Sequence, residues 1–141
     1  MKYVLDCSVA FKFVVAEKDS EKANLLRDDF RAGIHELICP DIFSGELGHA
    51  LTKAERKAQI TVGAALRLWS KVMATPPRQI PSLAITYRAI EISSLTRVGV
   101  FDCLYVALAE QERCELVTAD GRLVKTLQAR FPFIVSLATL P

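Results

Sequence analysis

Short apolar runs alternate with longer segments of helical periodicity along the whole chain, and this alternation predicts the fold class. The runs have the apolar, β-branched and aromatic character of buried strands. They occupy residues 1–5, 36–39, 79–80, 115–118 and 133–136, of which 79–80 is the shortest. Strands that alternate with helices favour an α/β protein whose parallel sheet is covered by helices on both faces.

Helices are predicted in the intervals between these strands. Their expected ranges are residues 8–16, 20–32, 42–57, 61–74, 82–97, 102–113 and 121–129. Ser8, Thr61 and Ser82 are the expected N-caps of three of them, because their hydroxyls can accept a backbone N–H. Residues 102–113 are apolar almost all round, which predicts a helix buried on most sides. There is no internal repeat or linker, so a single domain over residues 1–141 is expected.

Composition is that of an ordinary globular domain. Of 141 residues, 51% are hydrophobic and 24% are charged, and the formal net charge is +2. So small a charge does not by itself indicate nucleic-acid binding, and any basic surface must be local. No apolar run approaches the roughly 20 residues of a membrane helix. The N-terminus, interrupted by Asp6, does not resemble a secretory signal, so a cytoplasmic protein without membrane contact is expected.

Cysteine and histidine do not suggest a catalytic or zinc site. The four cysteines form no Cys-x-x-Cys pair, and we expect them to be buried thiols in a reducing cytosol. His35 and His49 lack zinc-ligand spacing. A phosphatase loop starting at Cys7 would need arginine where the chain has Phe13, and no glycine-rich phosphate loop is present.

Four acidic residues stand where the pattern predicts burial or the end of a buried strand. Asp6 ends the first strand, and Asp120 comes two residues after the strand 115–118. Asp102 is the only charge between residues 98 and 109. Glu46 lies at the edge of the apolar stripe of its helix. Taken singly, each aspartate could be a turn or N-cap residue, and Glu46 could be solvent-exposed.

Taken together, these carboxylates predict a cation site. Ligands of parallel sheets collect beyond the carboxyl ends of the strands, where Asp6 and Asp120 are expected. Two carboxylates about 4 Å apart repel by roughly 4 kcal/mol at an effective dielectric of 20, so a cluster needs compensation. Mg²⁺ or Mn²⁺ suits an all-oxygen site, and a pair of such ions can promote phosphodiester hydrolysis.

Four sequence blocks resemble the PIN domain, and the similarity is greatest to the VapC ribonuclease toxins of toxin–antitoxin pairs. The blocks are Val4-Leu5-Asp6-Cys7-Ser8, Glu46-Leu47-Gly48-His49-Ala50-Leu51, Phe101-Asp102-Cys103-Leu104-Tyr105-Val106-Ala107-Leu108-Ala109 and Thr118-Ala119-Asp120-Gly121-Arg122-Leu123. They match in order and in spacing. The resemblance extends over essentially the whole chain.

The resemblance implies a three-layer α/β/α sandwich with a central parallel sheet of four to five strands. It implies a metal-dependent endoribonuclease that leaves a 5′-phosphate and a 3′-hydroxyl. Asp6, Glu46, Asp102 and Asp120 would be both the catalytic residues and the ligands of Mg²⁺ or Mn²⁺, with Asp6 and Asp102 the most direct. Ser8 and Thr118 would orient the acids or a bound water. His49 stands where the family commonly has asparagine.

The resemblance also implies partners: an RNA substrate, a cognate antitoxin protein, and a homodimer or a toxin–antitoxin hetero-oligomer. Lys12, Arg122 and Lys125 are the candidate cations near the acidic residues. Two alternatives stay open at this point. One is a phosphoacceptor signalling domain, which also places acidic residues at the edge of a parallel sheet; the other is a catalytically silent PIN module that only binds a partner.

Overall fold

The computed structural model describes residues 1–141 as a five-stranded sheet flanked by seven α-helices in an α/β/α arrangement. The strands are β1 (Lys2–Leu5), β2 (Glu36–Pro40), β3 (Arg78–Ile80), β4 (Glu115–Thr118) and β5 (Ile134–Ser136). The helices are α1 (Cys7–Val14), α2 (Ser20–Arg31), α3 (Phe43–Arg56), α4 (Ala64–Met73), α5 (Leu83–Thr96), α6 (Val100–Glu112) and α7 (Gly121–Leu127), with a 3₁₀ turn at Leu137–Thr139.

All neighbouring strands are parallel, and their order in the sheet is β3-β2-β1-β4-β5. In register, Val4 of β1 stands between Ile38 of β2 and Leu116 of β4. From β1 the chain builds β2 and β3 on one side of the sheet, then crosses to build β4 and β5 on the other. The gap between the carboxyl ends of β1 and β4 is therefore the topological switch point, where open α/β sheets bind ligands.

The predicted order of strands and helices is confirmed, and the corrections concern helix starts. The helix predicted from Ser8 begins at Cys7, so Ser8 lies inside its first turn rather than at the N-cap. The helix predicted from Asp102 begins at Val100. Thr61 does not cap α4; instead Glu55 Oε2 accepts the N–H groups of Gly63 and Ala65, both at 2.8 Å. A carboxylate from the preceding helix thus satisfies the free N–H groups that the sequence pattern assigned to a local hydroxyl.

Helix α6 lies in the middle of the core, as its all-round apolar sequence predicts. Seven consecutive residues, Cys103 to Ala109, are buried. The helix packs against α5 and against β1, β2 and β4. Asp102, in the first turn of α6, therefore lies close to the carboxyl ends of the strands.

No helix of the chain combines the length and apolar composition needed to cross a membrane. Together, α5 and α6 have sufficient length and apolar composition, but the two helices are bent by 119° relative to each other.

We expect Leu108→Ala to lower the free energy of unfolding by about 2–5 kcal/mol, because it opens a cavity beside the central helix. Leu108 is fully buried, whereas Leu95 at the end of α5 is 63% exposed. Leu95→Ala is the matched control and should change stability by less than about 0.5 kcal/mol. Urea denaturation followed by circular dichroism measures both; equal losses would contradict the central position of α6.

Candidate functional site

The four predicted carboxylates, which are far apart in sequence, lie on one cavity at the switch point. The cavity has a volume of about 870 Å³, and Asp6, Glu46, Asp102 and Asp120 all line it. Asp6 directly follows β1, and Asp120 follows β4 by two residues. Asp102 comes from the first turn of α6, and Glu46 from the first turn of α3. The fold thus brings acidic residues from four separate segments to the same edge of the sheet.

Asp6 is the most deeply buried of the four, at 7% exposure. Its Oδ2 accepts two hydroxyl hydrogen bonds, from Ser8 Oγ at 2.5 Å and from Thr118 Oγ1 at 2.8 Å. These hydroxyls are fixed in turn, because Ser8 Oγ accepts the N–H of Ala119 at 2.9 Å and Thr118 Oγ1 accepts that of Asp120 at 3.0 Å. Both hydroxyls point at Oδ2, so Oδ1 takes neither of them. The predicted contribution of Ser8 and Thr118 is therefore an oriented Asp6.

Burial and neighbouring charge act against ionisation of Asp6. Its pKa is raised chiefly because burial removes water from the carboxylate, while the hydrogen bonds from Ser8 and Thr118 lower it and the charge of Asp120 raises it again. Desolvation outweighs the hydrogen bonds here because the carboxylate lies at the end of the central strand. A buried carboxylate in this state gains from any cation placed beside it.

Asp120 has two roles that the sequence pattern offered as alternatives. It is the N-cap of α7, where its Oδ1 accepts the N–H groups of Arg122 at 3.0 Å and Leu123 at 3.3 Å. Both bonds go to Oδ1, so Oδ2 receives neither. The same residue caps a helix and lines the cavity, and its charge raises the pKa of both Asp6 and Asp102.

Asp102 is half-buried near the start of α6. Its pKa is raised to about 6, first by loss of hydration and then by the charges of Asp6 and Asp120, with Arg122 acting in the opposite direction. Arg122 lies with Asp102 and Asp120 along a smaller neighbouring cavity of about 340 Å³. Of the three candidate cations, only Arg122 lowers the pKa of one of the four carboxylates.

Glu46 is held by a residue that the sequence pattern did not single out. Tyr105 Oη donates to Glu46 Oε1 at 2.6 Å, and Tyr105 is fully buried in α6. Burial raises the pKa of Glu46, the Tyr105 hydroxyl lowers it, and the charges of Asp6 and Asp102 raise it. The sequence contained a signal for this contact, because Tyr105 follows Asp102 by three residues and therefore lies on the same side of the helix. A buried tyrosine hydroxyl also requires a hydrogen-bond partner.

The donor set fits a hard divalent cation. All four side chains offer carboxylate oxygens. The charge of Asp120 helps to raise the pKa of Asp6, those of Asp6 and Asp102 that of Glu46, and those of Asp6 and Asp120 that of Asp102. No three of the acidic, histidine or cysteine side chains close on one point as a full protein cage would require. The set therefore offers oxygen ligands, which Mg²⁺ and Mn²⁺ prefer, without a preformed protein cage.

The candidate cations are distributed unevenly around the site. Lys12 lines the cavity, but its ammonium group is paired with Glu17 at 3.2 Å. Lys125 is exposed on α7 and lines neither cavity. His49 also lines the large cavity, and it donates no side-chain hydrogen bond to any of the four carboxylates. Lys53 and Lys57 line the cavity as well.

The cysteines carry no disulfide, as expected, and all four are free. Cys39 and Cys103 are buried and Cys7 is half-buried at the cavity. Burial and the charges of Asp6 and Glu46 raise the pKa of Cys7 well above its ordinary value. A thiol in this state is a poor nucleophile, so Cys7 is not suited to covalent catalysis.

Comparison with known proteins shows the family from the sequence and a shared fold from solved structures. The PIN domain model matches residues 3–127. Ribonuclease VapC9 of Mycobacterium tuberculosis and a VapC ribonuclease of Mycobacterium bovis are each 31% identical over 132 residues, covering 94% of this chain and 96% of the relative.

Two solved structures share the fold. PAE2754 from Pyrobaculum aerophilum superimposes with a TM-score of 0.71 at 19% identity, over 99% of this chain and 94% of that one. VapBC2 from Rickettsia felis, solved bound to a DNA fragment from its promoter, gives 0.66 at 18% identity over 96% and 97%. With a family match over most of its length and VapC ribonucleases as relatives across nearly all of it, this chain belongs to the PIN domain family.

Proposed function

We propose that this protein is a metal-dependent endoribonuclease, the toxin of a VapBC-type toxin–antitoxin pair, acting as one PIN domain over residues 1–141 in the cytoplasm. The observation that carries the proposal is the convergence of four carboxylates from separate segments on one cavity, in a chain whose relatives are VapC ribonucleases. The reaction class is hydrolysis of an RNA phosphodiester, leaving a 5′-phosphate and a 3′-hydroxyl.

The residues take distinct roles in this proposal. Asp6, Asp102 and Asp120 hold Mg²⁺ or Mn²⁺, and Glu46 either holds a second ion or orients the attacking water. When bound, the metal supplies an activated water and stabilises the leaving oxygen. Ser8 and Thr118 keep the Asp6 carboxylate in one orientation through their bonds to Oδ2. Tyr105 does the same for Glu46 through Oε1.

An antitoxin is the proposed protein partner, with self-association as a homodimer or assembly into a toxin–antitoxin hetero-oligomer. Support comes from VapBC2 of Rickettsia felis, whose fold this chain shares. Co-purification of the chain with the product of an adjacent small open reading frame, followed by light scattering, measures both the partner and the stoichiometry.

We expect Asp6→Asn and Asp102→Asn each to reduce RNA cleavage in Mg²⁺ or Mn²⁺ by about 100-fold or more, because each removes a charge from the metal-binding group. The measurement is cleavage of a labelled RNA, with EDTA abolishing the wild-type activity. Asp41→Asn is the matched control, since Asp41 directly follows β2 at the same edge of the sheet but is exposed and does not line the cavity. If Asp6→Asn cleaved RNA as fast as the wild type, the proposed site would be refuted. If the wild type were inactive with every divalent ion, the catalytically silent PIN module would be favoured.

The metal proposal also predicts a pH dependence of stability without metal. In the folded state the pKa of Asp102 is raised to about 6 from its ordinary value of 3.8. The folded protein therefore holds its proton more tightly, and stability falls as pH rises from about 4 to about 6. In EDTA at neutral pH, Asp102→Asn should be more stable than wild type by about 1–3 kcal/mol, and the difference should vanish near pH 4.

Urea denaturation at the two pH values measures this difference. Added Mg²⁺ should then stabilise wild type more than Asp102→Asn, because only the wild type regains the interaction between the ion and this carboxylate. Equal stability of both proteins at neutral pH in EDTA would contradict the raised pKa of Asp102.

Tyr105→Phe should shift the acid limb of the pH profile of kcat/KM to higher pH by up to about one unit. The reason is that the Tyr105 hydroxyl lowers the pKa of Glu46, and phenylalanine fills the same space without that bond. Tyr3→Phe is the control, because Tyr3 is also buried and its hydroxyl contacts only Met1 Sδ at 3.5 Å. An unshifted profile for Tyr105→Phe would show that Glu46 does not titrate in the reaction.

A further inference from the structure

The cavity that holds the four carboxylates also has a row of basic residues along α3. His49, Lys53 and Lys57 all line it. They follow one another at four-residue steps, so His49 and Lys53 share one side of α3, and Lys57 continues that side at the C-cap. Glu46, near the start of α3, lies at the acidic end of the cavity, and the row leads away from it.

The two lysines of this row form no ion pair with an acidic side chain. Lys53 and Lys57 are exposed and take part in none of the ion pairs of the structure. Lys12 of α1, which also lines the cavity, differs because its ammonium group is paired with Glu17. Arg56 belongs to the same turn of α3 as Lys53 but does not line the cavity. Two free positive charges therefore face the cavity, and a third from the same helix does not.

An exposed aromatic ring completes the lining. Phe101 is 60% exposed, although it stands only two residues before the buried segment of α6, and it lines the cavity together with Asp102. Proteins usually bind single-stranded nucleic acid with basic side chains along its phosphate backbone and aromatic side chains on which its bases stack. The cations also have an electrostatic task, because a phosphodiester approaching four carboxylates is repelled unless positive charge lies nearby.

We propose that Lys53 and Lys57 bind backbone phosphates of the RNA next to the scissile one, while a base of the same strand stacks on Phe101. The two lysines are about 6 Å apart along the helix axis, so they contact separate phosphates. Phe101 holds the RNA at the end of the cavity that the carboxylates line, and the two lysines fix the path of the RNA along α3. This inference rests on the proposed ribonuclease function and names residues that position the substrate without taking part in the chemistry.

The test measures RNA binding without cleavage. A fluorescein-labelled single-stranded RNA of about ten nucleotides is titrated with the protein in EDTA at several salt concentrations. Each lost phosphate contact flattens the slope of log K against log salt by about 0.7, so Lys53→Gln with Lys57→Gln should flatten it by roughly 1.4. Arg56→Gln, which removes one charge from the same helix outside the cavity, should leave the slope unchanged.

Phe101 is tested in the same assay by a different readout. Phe101→Leu should weaken binding by about fivefold or more at every salt concentration without changing the slope, because stacking involves no counterion release. Tyr87→Leu is the matched control, since Tyr87 is an aromatic residue on α5 that is 78% exposed and lies outside the cavity. Equal affinity of Phe101→Leu and Tyr87→Leu would overturn the stacking contact.

Cleavage assays separate this inference from the function on which it rests. The double lysine variant should raise KM with little change in kcat, because the contacts are the same in the ground state and the transition state. If RNA is cleaved but the lysine variant and Arg56→Gln flatten the salt slope equally per charge, the lysines act only through net charge and the inference is wrong. If no divalent ion supports cleavage but the lysine variant alone flattens the slope, the cavity binds RNA and the nuclease proposal is the one that fails.

Discussion

The site depends on one buried carboxylate at the end of the central strand. Asp6 leaves β1 between β2 and β4, and its Oδ2 receives the hydroxyls of Ser8 and Thr118. Those hydroxyls are fixed by backbone N–H groups of the segment that follows β4. The same network thus joins the ends of the two strands that flank the switch point and sets where Asp120 enters the cavity. An asparagine at position 6 would remove the charge and keep one acceptor oxygen, whereas an alanine would remove both the charge and the acceptor around which this edge is built.

This arrangement has an unfavourable electrostatic energy when the carboxylates are ionised. Asp6, Glu46 and Asp102 all have raised pKa values, and loss of hydration is the first cause for each. Nearby positive charge compensates little, because Lys12 is paired with Glu17 and Arg122 reaches only the Asp102 side. A site that destabilises its own ionised form without a cation is typical of function rather than of stability, since active sites are where such perturbations collect. Lys53 and Lys57, which make no ion pair, line the same cavity, and we propose that they bind an RNA strand rather than compensate the carboxylates.

Helix α6 connects the core to the site. Its seven consecutive buried residues anchor it against the sheet and α5, and this anchoring fixes Asp102 at one end and Tyr105 one turn later. Tyr105 then reaches across to α3 and orients Glu46. Packing of an ordinary apolar helix therefore determines the positions of two of the four carboxylates, one directly and one through a hydroxyl.

The sequence by itself determined the order of strands and helices, the parallel α/β class and the four acidic candidates, because periodicity and the residue types at strand ends are local properties of the chain. It also carried the PIN resemblance, which the family match bears out. Only the tertiary structure decided which groups meet. Glu55 rather than Thr61 caps α4, Tyr105 holds Glu46 across 59 residues, and Lys53 and Lys57 face the cavity while Arg56 does not. Such pairings depend on how helices pack against one another, and one-dimensional spacing contains no information about the distance between side chains on different elements.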